Sequence, residues 1–339
     1  MPGGRSAAPS FARGGVSALR ALFVSKPCRV YARKGVVEVR TADGERVEVS
    51  PALYDSLVLA TRAAQVTSAA LSLLAQQGVD LVVLGHRGDP VARLYPCVIN
   101  KTVATRVAQY RAMLDGRGLE AVKSIVEAKV RNQAAVLRYA AKSRREEWPA
   151  LEAERIAVIA DEVRACKPDA AKLMELEAKA ARIYWQAVAK LLPPELGFEG
   201  RDPMASDPFN LALNYGYAIL YHRCERALLL VGLDPYGGFM HVPRSGSQSL
   251  VYDFAEQFRP VAVDKPLIFA GARLEVVNGV LSRESRRAVA QAVLAALSKP
   301  HGDGSSKAEL DAIILRKAAQ LASFLRGSEP VYPAYRVRW

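Results

Sequence analysis

The period of the hydrophobic pattern changes once along this chain, close to residue 96, and that change limits the fold more than any other feature. Before it, the apolar stretches are short: Leu22–Val24, Val30–Ala32, Val36–Arg40 and Arg46–Val49. Lys34-Gly35 and Ala42-Asp43-Gly44 separate them, and Asp-Gly favours the positive φ of a tight hairpin. Thr67 is placed to cap a short helix through Gln77, ended by Gly78. Val79–Leu84 reads as a further strand and Gly85–Pro90 as a loop. After the change, apolar residues recur at helical spacing over Val103–Leu114, Leu119–Arg145 and Leu151–Arg164. Lys167-Pro168-Asp169 opens another helix, which Pro193-Pro194 stops after Leu192. Phe209–Val231 is apolar on nearly every side and predicts a buried central helix. Ser249–Phe258, Arg283–Leu297 and Lys307–Leu325 complete the helices, with Lys299–Ser306 as a flexible connection.

A chain of 339 residues exceeds one ordinary core. The expected fold is α+β: a small β-rich N-terminal domain over 20–96, then a larger all-α domain over 97–329. Residues 1–19 read as a flexible extension and 330–339 as a basic aromatic tail. Lys and Arg number 47 against 34 Asp and Glu, a net charge of +13. That excess favours a polyanionic partner, either nucleic acid or an anionic membrane surface. No apolar run reaches the roughly 18–20 residues that cross a bilayer. Nor is there a basic amphipathic segment with exposed Trp or Phe, which argues against a peripheral membrane protein. Cys28, Cys97, Cys166 and Cys224 are scattered without CxxC spacing, as in a reduced, cytoplasmic protein.

The chemistry concentrates between Asp207 and Val263 and at one glutamate upstream. Taken alone, His241 reads as a hydrogen-bonded structural residue. It follows a Gly-Gly-Phe turn that comes directly after the apolar helix, a place where a side chain can face a cleft. Asp253 and Glu256, three apart on a short helix, share a face among Leu250, Val251, Phe254 and Phe258. Carboxylates in such surroundings need a cation or a metal, and Arg259 is a candidate for the former. Oxygen donors with one imidazole suit Mn²⁺ or Mg²⁺ better than zinc. Composition does not separate Glu175 from Glu177; the helical period favours Glu177, on a stripe with Leu173, Ala181 and Tyr184. Asn214, Tyr215 and Tyr217 read as packing positions. Arg226 and Arg244 are open between phosphate contact and structural ion pair, and the basic helix at 119–145 between a solvated face and a DNA surface.

Five segments together resemble one family, the CRISPR-associated adaptation integrase and endonuclease Cas-One. They are Glu177–Trp185, Leu213–Tyr217 (L-N-Y-G-Y), Arg226–His241, Ser249–Pro260 with Val263-Asp264, and Ile125–Gln133. Ala178 stands where the family has Gly, and Arg201–Ser206 lacks the further arginines common before L-N-Y-G-Y. The resemblance implies that Glu177, His241 and Glu256 bind a Mn²⁺ or Mg²⁺ ion, with Asp253 as an accompanying carboxylate. It implies cleavage of double-stranded DNA and insertion of a spacer precursor into a CRISPR repeat by 3′-hydroxyl transesterification. It also implies a homodimer formed through the β-rich domains, two such dimers being bridged by a dimer of the small protein Cas-Two. The competing expectation is a non-catalytic DNA-binding scaffold.

Overall fold

A computed structural model describes residues 21–50, 54, 56–77, 79–85, 90–94, 103–240, 246–271, 273–303 and 306–338. The expected 1–19 extension, His86, Cys97, His241 and Arg244 lie outside them. Among the described residues, eight strands and a helix form the N-terminal part. They are β1 (Ala21–Val24), β2 (Cys28–Arg33), β3 (Val36–Thr41), β4 (Arg46–Val49), β5 (Ser56–Leu59), β6 (Ala64–Val66), α1 (Ser68–Gln76), β7 (Asp80–Leu84) and β8 (Pro90–Leu94). They make two four-stranded sheets, ordered β4-β3-β2-β6 and β1-β5-β7-β8. Lys34 and Gly35 both take positive φ (49° and 81°), which gives the two-residue turn joining β2 to β3. The Thr67 hydroxyl accepts from the amide of Ala70 and caps α1.

Strand β5 was not visible in the hydropathy pattern because it does not alternate: all four of its residues are buried. Leu57 and Leu59 face α1 and the other sheet, beside Val30, Val39 and Leu74. Val58, with Val82 and Leu84, packs on the opposite face against Phe23, which also touches the helical core. At that junction Arg93 binds Asp80 and, at 2.6 Å, Glu225; Arg226 lies 3.5 Å from Asp80. Arg226 is thus a structural ion-pair residue.

The second part is helical: α2 (Val103–Ala112), α3 (Arg117–Arg144), α4 (Trp148–Ala165), α5 (Ala170–Leu191), α6 (Pro208–Leu230), α7 (Ser249–Ala255), α8 (Lys265–Phe269), α9 (Arg283–Leu297) and α10 (Leu310–Leu325). Helices α3, α4 and α5 pack together, and α6 runs through the centre against α7, α9 and α10. Gly216 of α6 permits a close approach, since a Cβ there would meet Val263 at 2.7 Å. Between α7 and α8 the chain makes a wide π turn over Pro260–Asp264.

Two expectations need correction. Lys299–Ser306 is not a plain connection, and 307–309 are not helical: Pro300–Asp303 pairs antiparallel with Ser306–Glu309, and Ala308 rests on the helical core. A second hairpin, Val276–Val277 with Val280–Leu281, turns at Asn278-Gly279, both at positive φ. Its Asn-Gly signal was present in the sequence. Tyr332 and Tyr335, in the expected tail, are buried in the helical core. Cys28, Cys166 and Cys224 are free thiols. No helix among the described residues is long and apolar enough to cross a membrane.

Candidate active site

Three helices bring charge to one point. On α3 the stripe Val122, Val126, Gln133 and Leu137 is buried, and Lys129 falls in phase with it. On α5, capped by the Asp169 carboxylate at the amide of Lys172 (2.8 Å), Leu173, Ala180 and Tyr184 are buried and Glu177 sits at the stripe's edge. Glu175 is exposed and pairs with Lys172, so the helical phase separates the two glutamates as the sequence suggested. Glu256, just past α7, is 3% exposed, between the buried Ala255 and Gln257.

The Lys129 ammonium binds Glu177 and lies 2.6 Å from Oε2 of Glu256. Arg259 approaches the other oxygen, Oε1, at 2.5 Å. The Arg259 guanidinium is held over the rings of Tyr217 (4.9 Å) and Tyr221 (5.2 Å) and donates to the Tyr221 hydroxyl. Burial alone would lower the pKa of Lys129; the charges of Glu177 and Glu256 outweigh it and raise it. Behind this layer, Asp264 accepts from Tyr217 (2.6 Å) and Tyr184 (3.1 Å). Burial pushes its carboxyl up to about 6, against the opposing pull of the two hydroxyls and of Arg259 and Lys129.

Asp253 does something different. Its Oδ2 accepts from the amides of Phe239 (2.7 Å) and Met240 (3.0 Å). It therefore fixes the turn that leads directly into His241. Gly238 makes this possible, because a Cβ there would stand 2.6 Å from that of Ser249 and 3.0 Å from Oδ2 of Asp253. The structure thus brings Glu177 and Glu256 together and sets Asp253 on the amides of Phe239 and Met240; His241 lies outside the described residues. Among the described residues no three His, Cys, Asp or Glu side chains form a ready metal cage. Two carboxylates converging on a single cation nonetheless supply the hard oxygen donors that Mn²⁺ or Mg²⁺ prefers, and so fit such an ion.

Three contributors were given no role of their own from the sequence. Lys129 looked like one more charge on a basic helix. Other cations of that helix serve internal contacts: Arg131 with Glu127 and Asp161, Arg138 with Glu154, and Arg144 with the carbonyl of Leu191. Asn132 and Gln257 form the second contributor. Asn132 donates to the carbonyls of Gln257 (2.7 Å) and Tyr335 (3.0 Å) and accepts from the amide of Val337 (2.9 Å). Gln257 accepts from the Tyr335 amide (2.7 Å) and donates to the Tyr332 hydroxyl (3.0 Å). The segment around Tyr335 thereby ties α3 to the end of α7. Asp264 is the third.

A profile of the family described as CRISPR associated protein Cas1 matches residues 22–293. The CRISPR-associated endonuclease Cas1 of Hyperthermus butylicus is 41% identical over 324 residues, covering 92% of this chain and 97% of that one. Among solved structures, a casposase bound to integration product superposes with a TM-score of 0.80 at 22% identity, over 94% of this chain and 95% of that one. A Cas6-RT-Cas1–Cas2 complex matches with a TM-score of 0.74 at 18% identity, over 95% of this chain and 37% of that chain. At such identities the structural likeness is one of fold. The match over most of the chain, and the identity to the Hyperthermus relative, place it: the chain belongs to the Cas1 family of CRISPR-associated proteins.

Proposed function

We propose that this chain is a metal-dependent DNA endonuclease and integrase that inserts short DNA fragments as spacers into a CRISPR array. One observation carries the reading: Glu177 on α5 and Glu256 just past α7 converge on one cation within a strongly basic protein. The names of its relatives agree, one an endonuclease and another a casposase solved on its integration product. Glu177, His241 and Glu256 would hold a Mn²⁺ or Mg²⁺ ion. Bound there, the ion supplies Lewis acidity for transesterification by a DNA 3′-hydroxyl, or for cleavage by water.

The protein's own part is to hold geometry and charge. Arg259, fixed between two tyrosine rings, sets the orientation of the Glu256 carboxylate. Asp253 clamps the Gly238–Met240 turn, the residues that precede His241 in the chain. Lys and Arg on the surface hold the DNA backbone, so binding weakens steeply with salt. Joining two DNA ends requires two centres, in keeping with a homodimer formed through the β-rich domains of 20–96. Double-stranded DNA and a Cas2 dimer bridging two such dimers are the partners; one structural neighbour is itself a complex containing Cas2. The protein works in the cytoplasm, where the array lies.

The test is strand transfer of a labelled duplex into a plasmid carrying the CRISPR repeat, with and without Cas2 and EDTA. The reading expects products that EDTA removes and that Glu177→Ala, His241→Ala and Glu256→Gln each lose. DNA binding without any Mn²⁺-dependent product in the wild type would show a scaffold instead.

A further inference from the structure

The Lys129 ammonium stands between the two carboxylates that the proposed function gives to a metal ion. Formal charges at this point cancel: Glu177 and Glu256 against Lys129 and Arg259. A divalent ion between the carboxylates would add two positive charges within a few ångströms of the ammonium, in a setting where charges are poorly screened. Both cannot keep the same oxygens.

The two resident cations are not equally able to leave. Arg259 lies over Tyr217 and Tyr221 and donates to the Tyr221 hydroxyl. Lys129 carries a compact charge on a flexible four-carbon stem, and no ring among the described residues clamps it in this way. Its side chain is 10% exposed and that of Glu177 is 17% exposed, against 4% for Glu256. The way out runs past Glu177.

We propose that Lys129 is the exchangeable counter-ion of the Glu177–Glu256 pair, holding the carboxylates together without metal and withdrawing past Glu177 when a divalent cation takes its place. This rests on the metal-site reading above. It assigns Lys129 a positioning role: the metal-free pair stays folded and approximated, and the cost of displacing the ammonium weakens metal binding.

The test uses full-length protein and Mn²⁺ alone, without DNA, with free ion counted by electron paramagnetic resonance. Lys129→Met removes the competing charge while keeping most of the side-chain volume. Its affinity for Mn²⁺ should rise about tenfold or more over wild type. Its melting temperature should fall in EDTA and recover most of the difference when Mn²⁺ is added. A second measurement needs no substitution. Acetylation of wild-type lysines, read by peptide mass spectrometry, should increase severalfold at Lys129 on adding Mn²⁺. Mn²⁺ binding that Glu177→Gln abolishes but Lys129→Met leaves equal or weaker overturns the exchange alone, as does unchanged Lys129 acetylation. Failure of wild type to bind Mn²⁺, with Glu177→Gln no different, overturns the metal reading and the exchange together.

Discussion

Two buried charge clusters in this protein use the same ingredients differently. At the sheet–helix junction, Asp80 and Glu225 meet Arg93 and Arg226, and Gln248 donates to Glu225 at 2.7 Å. At the candidate active site, Glu177 and Glu256 meet Lys129 and Arg259. The first cluster is all guanidinium, whose planar forks match carboxylates in fixed directions. The second contains a lysine at the one position shared by both acids. An arginine cluster joins parts permanently; a lysine between two carboxylates leaves a place that another cation can take.

The contrast can be broken at several points. The largest effect belongs to the second cluster: Glu177→Gln should lower strand transfer by about a thousandfold, roughly 4 kcal/mol, with the circular dichroism spectrum unchanged. Loss of activity accompanied by unfolding would mean that Glu177 is structural. In the first cluster, Arg93→Ala takes the nearest cation from both Asp80 and Glu225 and should cost about 3 kcal/mol in urea unfolding. Mn²⁺ affinity of the folded fraction should stay at the wild-type value; a change would show that the junction also tunes the site.

Next in size is Asp264, behind Arg259. Its folded pKa of about 6 lies above that of an unfolded aspartate. The folded state therefore binds the extra proton between about pH 4 and 6, and its contribution is present at low pH and lost as pH rises through 6. Relative to Asp264→Asn, wild-type stability should fall by roughly 1–3 kcal/mol between pH 4 and 7. A pH-independent difference would remove Asp264 from the electrostatics of the site. The smallest effect is a control: Arg138 and Glu154 form an exposed pair, so Arg138→Ala should leave the melting temperature within error.

What the sequence revealed follows from which patterns survive without partners. Short apolar or alternating runs and the Lys34-Gly35 and Asp43-Gly44 turns marked β2, β3 and β4, and helical period marked α2 to α6 within a few residues. Strand β5 escaped because burial on both faces erases alternation. The Pro300–Glu309 hairpin escaped because its polar, glycine-containing sequence looks like a linker; its pairing registers only in space. At the site, periodicity put Glu177 rather than Glu175 on the inner side of α5. Lys129 stayed hidden among Arg131, Arg138 and Arg144, since charge composition does not record which cation of a helix faces inward. Its phase with Val122, Val126 and Gln133 held that information.

The tyrosine-bearing segment has a consequence for when the protein matures. Tyr335 reaches Gln257 across 78 positions of chain, and Gln257 adjoins Glu256. A ribosome that has just released α7 has yet to make the segment that braces it against α3. The nascent chain thus carries α3 and α7 well before the contact that ties them together can form.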